Sequence, residues 1–367
     1  MYYASTMRAR VLRYGCEFAG TTVMLLVGVT AVTFMWGTGS PVPLVEPPAL
    51  RRFLTGLCFA GGATAIVYSP LGQLSGGHLN PAVTLAFWRL GKFPGRDVLP
   101  YIVAQVGGAL LGVALAALAW GEMARSVRYA ATAPGDGWTW TGALVAETLA
   151  TFALVFLIFV CINKPALAAR TGILAGSLVV ALVTIEAPIS GTSVNPARSA
   201  APAVLVPIFR DQWIYVAGPI AGALLAAVAY RRRWGATTVC AKLYHTAKYP
   251  CPFETCGYRL VKAGDTVMRE GEAGDEAYLV ERGELRVTRE GALLSELGPG
   301  SWVGEMSLLL DEPRSATVTA VTDVQLRRVT KDTFARLLAE DPHRTQELLR
   351  QLAARVRDAN SQLVARR

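Results

Sequence analysis

Groups that do chemistry are scarce in this chain. Its 367 residues include three histidines and six cysteines, and nowhere does a nucleophile stand with a paired base, a P-loop or a metal triad. The expectation is a protein that is not an enzyme. The first apolar segment lacks a convincing small-residue cleavage site, so no cleavable signal peptide is expected. Charged residues amount to 17 % and are unevenly spread. Residues 257–367 carry 17 Lys+Arg and 18 Asp+Glu, which leaves a net +10 on residues 1–256 out of the overall +9. An excess confined to the apolar part suits membrane topology and anionic lipid rather than nucleic acid.

Apolar sequence is what the chain has in quantity, at 52 % of residues. Spans long enough to cross a bilayer run over Val11–Trp36, Phe53–Ser69, Leu99–Trp120, Gly142–Ile162, Gly172–Ala187 and Trp213–Tyr230. Arg8, Arg10 and Arg13 precede the first, Lys164 and Arg170 lie between the fourth and fifth, and Arg231, Arg232 and Arg233 follow the sixth. The positive-inside rule then places both termini in the cytoplasm, with the inner (plasma) membrane as the expected location.

The tripeptide Asn-Pro-Ala occurs twice, at Asn80-Pro81-Ala82 and Asn195-Pro196-Ala197, in corresponding places of two apolar halves. Pro is favoured in the first turn of a helix, and the Asn before it can cap the N-terminus. Each motif therefore starts a short helix with its partial positive charge facing backwards. If the two enter from opposite sides, their N-termini meet near the bilayer midplane, lining a cavity with Asn donors and repelling cations and protons. Glu17 and Glu147 each sit early in the segment that opens a half. A carboxylate in a membrane helix implies a local hydrogen-bonding task, unless it stands at the water interface.

The strings SGGHLNPAVT and SVNPARS resemble the two signature loops of the aquaporin (major intrinsic protein) family, and the resemblance covers roughly residues 14–230. It implies a membrane all-α fold of six transmembrane helices plus two re-entrant half-helices, assembled as a homotetramer. It also implies that Glu17 and Glu147 brace the re-entrant loops and that His78 lines the cytoplasmic vestibule, either as a pH sensor or as a simple loop hydrogen bond. By spacing from the two motifs, the family's selectivity positions fall on Ala60, Val183, Thr192 and Arg198. Arg198 supplies donors and a cation barrier. Ala60 and Val183 replace the rings of strict water channels, which widens the constriction and removes a polar wall. Val216, where water channels usually have Trp, departs in the same direction. Small filter residues resemble those of plant nodulin-like and related bacterial channels, implying passage of boric acid, arsenous acid, urea, glycerol or hydrogen peroxide alongside water.

After Tyr230 the character changes. A basic run and a linker containing Pro250 and Pro252 (residues 234–256) separate an expected channel domain, 1–233, from a second domain, 257–367. Turns recur there at Gly264-Asp265, Gly271, Gly274-Asp275, Gly283, Gly291 and Gly298-Pro299-Gly300, the short spacing of a β-barrel or jelly roll. From Lys331, apolar residues at helical spacing (Phe334, Leu337, Leu338, Leu348, Leu349, Leu352, Val356) predict closing helices.

Within that domain, WVGEMSLLLDEPRSATVTA (Trp302–Ala320) resembles the phosphate-binding cassette of cyclic-nucleotide-binding domains. A Gly304-Glu305-Met306 turn opens a short helix whose N–H groups can meet an anion. Glu305 is placed for a ribose hydroxyl, and Arg314 for the cyclic phosphate, where a guanidinium fork suits the exocyclic oxygens. Ser315 and Thr317 offer further donors, and a base contact is expected from the last helix around Asn360–Gln362. Some members of the family keep the barrel without the ligand. Ser315 is compatible with cAMP or cGMP, and cAMP is the bacterial-type choice.

Cys16, Cys58 and Cys161 lie in spans and read as small buried residues. Cys240, His245, Cys251 and Cys256 cluster in the linker as a weak candidate for a soft metal, their spacing unlike the common zinc pairs; no other metal site is expected. Together these features predict a passive channel for water and small neutral solutes with a cytoplasmic cyclic-nucleotide sensor. Ligand binding would act through residues 231–256 on the sixth span, at the mouth near His78 or the Lys164–Arg170 loop. The alternative is a constitutive pore whose second domain serves assembly or localisation.

Overall fold

The structure, a computed structural model, describes residues 7–42, 45–206, 209–234, 240–246, 248–249, 251–253, 256–331, 334–335, 338 and 342–365. Leu337 and Pro250 lie outside the described residues, as do the side chains of Asn360–Gln362. The chain divides into two compact units, Met1–Cys256 and Gly257–Arg367.

The first unit is helical. Among the described residues, six helices are long and apolar enough to cross a membrane: α1 (Met7–Trp36), α2 (Pro48–Tyr68), α5 (Gly95–Ser126), α6 (Trp140–Asn163), α8 (Thr171–Ser190) and α10 (Ile214–Trp234). Between them stand the short α3 (Pro70–Ser75), α4 (Pro81–Arg89), α7 (Pro165–Ala168) and α9 (Pro196–Leu205). Outward faces are apolar, with Leu118 83 % and Ile185 74 % exposed, as expected of helices solvated by lipid rather than water. Cys58, expected to be buried, is exposed on that outer face, whereas Cys16 and Cys161 are buried. Val216 is also exposed on α10 and does not line the internal cavity, so it bears on no constriction.

The two halves repeat each other in their packing. α1 crosses α5 and α6 crosses α10 at backbone contact: a Cβ on Gly108 would lie 2.2 Å from Phe18 O, and one on Gly222 would lie 2.2 Å from Thr148 O. Only glycine permits that approach, which is how small residues drive helix association where lipid offers no hydrophobic force.

The described residues of the second unit form eight short strands in two antiparallel sheets. One runs in the order β1 (Tyr258–Val261), β8 (Val324–Thr330), β3 (Glu276–Arg282), β6 (Trp302–Val303). The other runs β2 (Thr266–Met268), β7 (Thr317–Ala320), β4 (Leu285–Arg289), β5 (Ala292–Leu297). Alternate residues, among them Val280, Leu285, Val318 and Leu326, point inward and form the core between the sheets. α11 (Glu305–Leu310) interrupts the strands after β6, and α12 (Pro342–Ala365) closes the chain. Phe334 and Leu348 bury against Trp302 and Leu308 in a second cluster.

Candidate functional site

Each Asn-Pro-Ala motif starts a half-helix in the manner its residues dictate. Asn80 caps α4, its Oδ1 accepting from Ala82 N at 2.9 Å, and Asn195 caps α9 by accepting from Ala197 N at 3.0 Å. The second face of each amide crosses to the other motif: Asn80 Nδ2 donates to Val194 O and Asn195 Nδ2 to Leu79 O, both at 2.8 Å. The half-helices therefore meet N-terminus to N-terminus. One amide hydrogen on each Asn remains for the cavity that both residues line.

Glu17 and Glu147 are fully buried and do the bracing. Glu17 accepts from His78 N at 3.0 Å, Leu79 N at 2.8 Å, Ser75 Oγ at 2.7 Å and Gln105 Nε2 at 2.8 Å. Glu147 accepts from Ser193 N at 2.7 Å, Val194 N at 2.8 Å and Ser190 Oγ at 2.6 Å. Tyr101 and Tyr215 complete the repeat by donating to Ser75 O and Ser190 O at 2.7 and 2.8 Å. The interface alternative for the two glutamates is thereby set aside. Leu79 and Val194 adopt left-handed φ of 52° and 48°, a strained state for branched side chains that persists where surroundings over-determine it. Glu186, which the sequence reading passed over, joins the second half: the hydroxyls of Ser190 and Thr192 both bond its carboxylate. An acidic residue near the end of a membrane span was the available signal.

A cavity of about 480 Å³ runs through the unit, lined at one end by Trp36 and at the other by His78. Ala60, Val183, Thr192 and Arg198 all line it, as do Asn80 and Asn195. Arg198 Nη1 donates to Ala130 O at 2.7 Å, which fixes the guanidinium across the passage. Phe59, one position before Ala60, also lines the cavity, its ring centroid 5.3 Å from Arg198 Cζ. An aromatic ring therefore does face the cavity beside Ala60: Phe59 stands over Arg198 where Gly28 leaves room for its ring.

His78 lies at the opposite mouth and is held in place. Nε2 donates to Ala241 O at 2.7 Å, since a carbonyl can only accept, and Nδ1 faces Thr84 Oγ1 at 3.0 Å. Its ring stacks on Phe87 at 5.0 Å. Both ring nitrogens are thus engaged within the loop region. Ala241 belongs to residues 240–256, read from sequence as a linker, which pack within the first unit. There Cys240, His245, Cys251 and Cys256 converge despite their irregular spacing.

In the second unit, Gly304 (φ 77°) opens α11, and Arg314 is buried at 6 % exposure. Arg314 Nη1 donates to Gly304 O at 2.8 Å and Nη2 to Glu276 O at 2.6 Å. No carboxylate lies within ion-pair distance of it among the described residues. Gly274 and Gly304 make its cradle, since a Cβ on either would lie within 2.2 and 2.5 Å of the guanidinium. Glu305 is 1 % exposed and its Oε1 accepts from Arg355 Nη1 at 2.5 Å, an arginine of α12 that the sequence did not single out. Burial pushes the Glu305 carboxyl above its usual range, and Arg355 opposes that shift. Met306 and Ser315 are exposed, while Thr317 Oγ1 accepts from Glu270 N at 3.0 Å.

Two capped half-helices meeting inside six apolar helices, around a cavity crossed by an arginine, define a multi-pass membrane channel. The chain belongs to the major intrinsic protein family, whose profile, described as Major intrinsic protein, matches residues 5–230. A second profile, described as Cyclic nucleotide-binding domain, matches residues 258–341. The chain is 39 % identical over 232 residues to aquaporin AqpM of Methanothermobacter marburgensis, covering 59 % of this chain and 94 % of that one. It is 36 % identical over 217 residues to aquaporin NIP1-3 of Oryza sativa, covering 58 % and 71 %. An X-ray structure of the aquaglyceroporin from Plasmodium falciparum shares the fold, with a TM-score of 0.53 at 20 % identity over 61 % of this chain and 96 % of that one. The protein is thus an aquaporin-fold channel fused to a C-terminal cyclic-nucleotide-binding domain.

Proposed function

We propose that this protein is a passive, non-enzymatic channel for water and small uncharged solutes in the plasma membrane, a homotetramer with both termini cytoplasmic, whose second domain binds a cyclic nucleotide and gates flux. The observation that carries the sensor is Arg314, a buried guanidinium bonded only to carbonyl oxygens among the described residues. A buried cation in that state lacks an anion, and a cyclic phosphate supplies one with matching geometry. cAMP is the ligand of first choice. Gating requires that ligand favour one pore state over the other. The route is the segment that bonds His78 through Ala241 O and leads in sequence into β1. Stopped-flow light scattering on proteoliposomes, with cAMP or cGMP inside, tests this. The expected result is a change in water flux with cAMP. Flux indifferent to a nucleotide that demonstrably binds leaves a constitutive pore with an assembly or localisation module.

Small residues at two filter positions support permeation by glycerol, urea or a metalloid hydroxide such as boric or arsenous acid. Phe59 leaves one aromatic wall, which suits a carbon chain or a planar solute sliding past Arg198. Ala60→Phe with Val183→His is expected to cut glycerol and urea flux about tenfold or more, the effect of ~1.4 kcal/mol on a barrier, while sparing water. Unchanged glycerol and urea flux in proteoliposomes of that double variant would sink the wide-filter reading.

A further inference from the structure

The segment between α10 and the second unit carries chemistry that the pore does not use. Cys240 Sγ lies 3.4 Å from Cys251 Sγ and 3.3 Å from Cys256 Sγ. His245 Nε2 lies 3.2 Å from Cys240 Sγ and 3.4 Å from Cys256 Sγ. All four ligand atoms fall within 4.8 Å of one another. These sulfur separations are far beyond the ~2.05 Å of a disulfide. They approach the edge of a tetrahedron built on Zn–S bonds of about 2.3 Å, and Cys3His is a structural zinc donor set.

The surroundings supply positive charge of the sign the centre needs. Three thiolates and a neutral imidazole on Zn²⁺ leave one net negative charge, which burial makes costly unless it is paired. Lys242 is fully buried, its Nζ donating to Tyr249 O at 2.5 Å, and both Lys242 and Lys92 interact electrostatically with the cysteines. No carboxylate among the described residues pairs with Lys242. The same segment is stitched across the mouth of the pore. Leu243 N donates to Gly76 O at 3.0 Å, Thr246 Oγ1 to Gln73 Oε1 at 2.5 Å, and Arg13 Nη1 to Pro252 O at 2.9 Å. Gly76 has no Cβ because one would lie 2.8 Å from the Phe253 ring and 2.9 Å from Ala241 O. Leu243 lines the same cavity as Asn80, Asn195 and His78.

We propose that Cys240, His245, Cys251 and Cys256 bind one Zn²⁺, and that the ion holds this segment as a lid on the His78 mouth with Leu243 narrowing the passage. The described residues of this segment between Cys240 and Phe253 form almost no regular structure and are too few to bury a core of their own, so metal binding supplies their folding energy. The ligand set stands on its own geometry, whereas the lid rests on the channel reading above.

The test begins with metal content of the purified full chain. Elemental analysis is expected to find about one zinc per chain, and cobalt exchanged into the site to give the intense visible absorption and sulfur-to-metal charge transfer of a tetrahedral thiolate complex. Cys251→Ser loses both, and Cys58→Ser, on the outer face of α2, keeps both. Zinc well below one per chain together with a cobalt spectrum lacking charge transfer overturns the site. In proteoliposomes, stripping zinc is expected to raise water flux several-fold, zinc to restore it, and Leu243→Ala with zinc bound to raise it likewise. Equal flux with and without zinc and in Leu243→Ala overturns the lid. No water conduction in any of these states overturns the channel reading and the lid with it, while the zinc result stands.

Discussion

Arg314→Ala is expected to weaken cyclic-nucleotide binding by about 100-fold or more, the loss of two charge-assisted hydrogen bonds worth roughly 3 kcal/mol together. Any nucleotide dependence of flux should vanish with it, while nucleotide-free flux stays that of the parent chain. Arg314→Lys keeps the charge but loses the planar fork, so it should recover only part of the affinity. Calorimetric titration of the full chain in detergent, at fixed salt, measures the affinities, and stopped-flow light scattering on proteoliposomes measures the flux. Parent-like affinity in Arg314→Ala would remove the phosphate from this arginine.

Arg355 predicts an opposite sign in the same titration. Its guanidinium donates to Glu305, the carboxylate proposed for a ribose hydroxyl, at 2.5 Å. If nucleotide takes that carboxylate as proposed, it competes with Arg355, and the competition reduces apparent affinity by the fraction of molecules in the competent state. Arg355→Ala removes the competitor and leaves Glu305 buried without its cation, a cost that the ligand hydroxyl partly relieves. Affinity should rise about threefold to tenfold. Because Arg355 lies on α12, the same exchange couples ligand entry to the position of the last helix. Weaker binding in Arg355→Ala would make Arg355 a ligand contact instead.

What could be read from the sequence was what local chemistry determines. Pro81 and Pro196 start helices and Asn80 and Asn195 cap them whatever surrounds them, so both half-helices were legible. Glu17 and Glu147 were legible because a carboxylate in an apolar span must have a partner. The same rule applied to Glu186 would have found the third brace. Phe59 was out of reach: it neighbours Ala60 on α2, and its entry to the pore depends on the missing side chain of Gly28, which belongs to another helix. Cys240, His245, Cys251 and Cys256 carry no local spacing signature. They converge because the chain folds back over the His78 mouth, a tertiary event that period and composition do not encode. Arg355, fifty positions beyond Glu305, gave no sign beyond membership of an amphipathic helix.

Glu147→Ala is expected to lower water permeability to that of protein-free liposomes. Three hydrogen bonds to a carboxylate disappear, and the Ser193 and Val194 amides are left buried without an acceptor, at about 1–3 kcal/mol each. Val194 is in addition held at φ 48°, a conformation worth roughly 1–3 kcal/mol of strain that persists only while it is over-determined. Released, the loop relaxes, Val194 O leaves Asn80 Nδ2, and the crossing bonds that join the two half-helices at the centre of the pore fail together. Glu147→Gln keeps an acceptor for one of the two amides and should retain a measurable fraction of flux. Glu17→Ala should behave as Glu147→Ala does, since Glu17 holds His78 N and Leu79 N in the same way. Stopped-flow permeability normalised to reconstituted protein, paired with thermal unfolding in detergent, separates a collapsed pore from a lost protein. More than half of parent flux in Glu147→Ala would show that the loop holds its shape without the carboxylate.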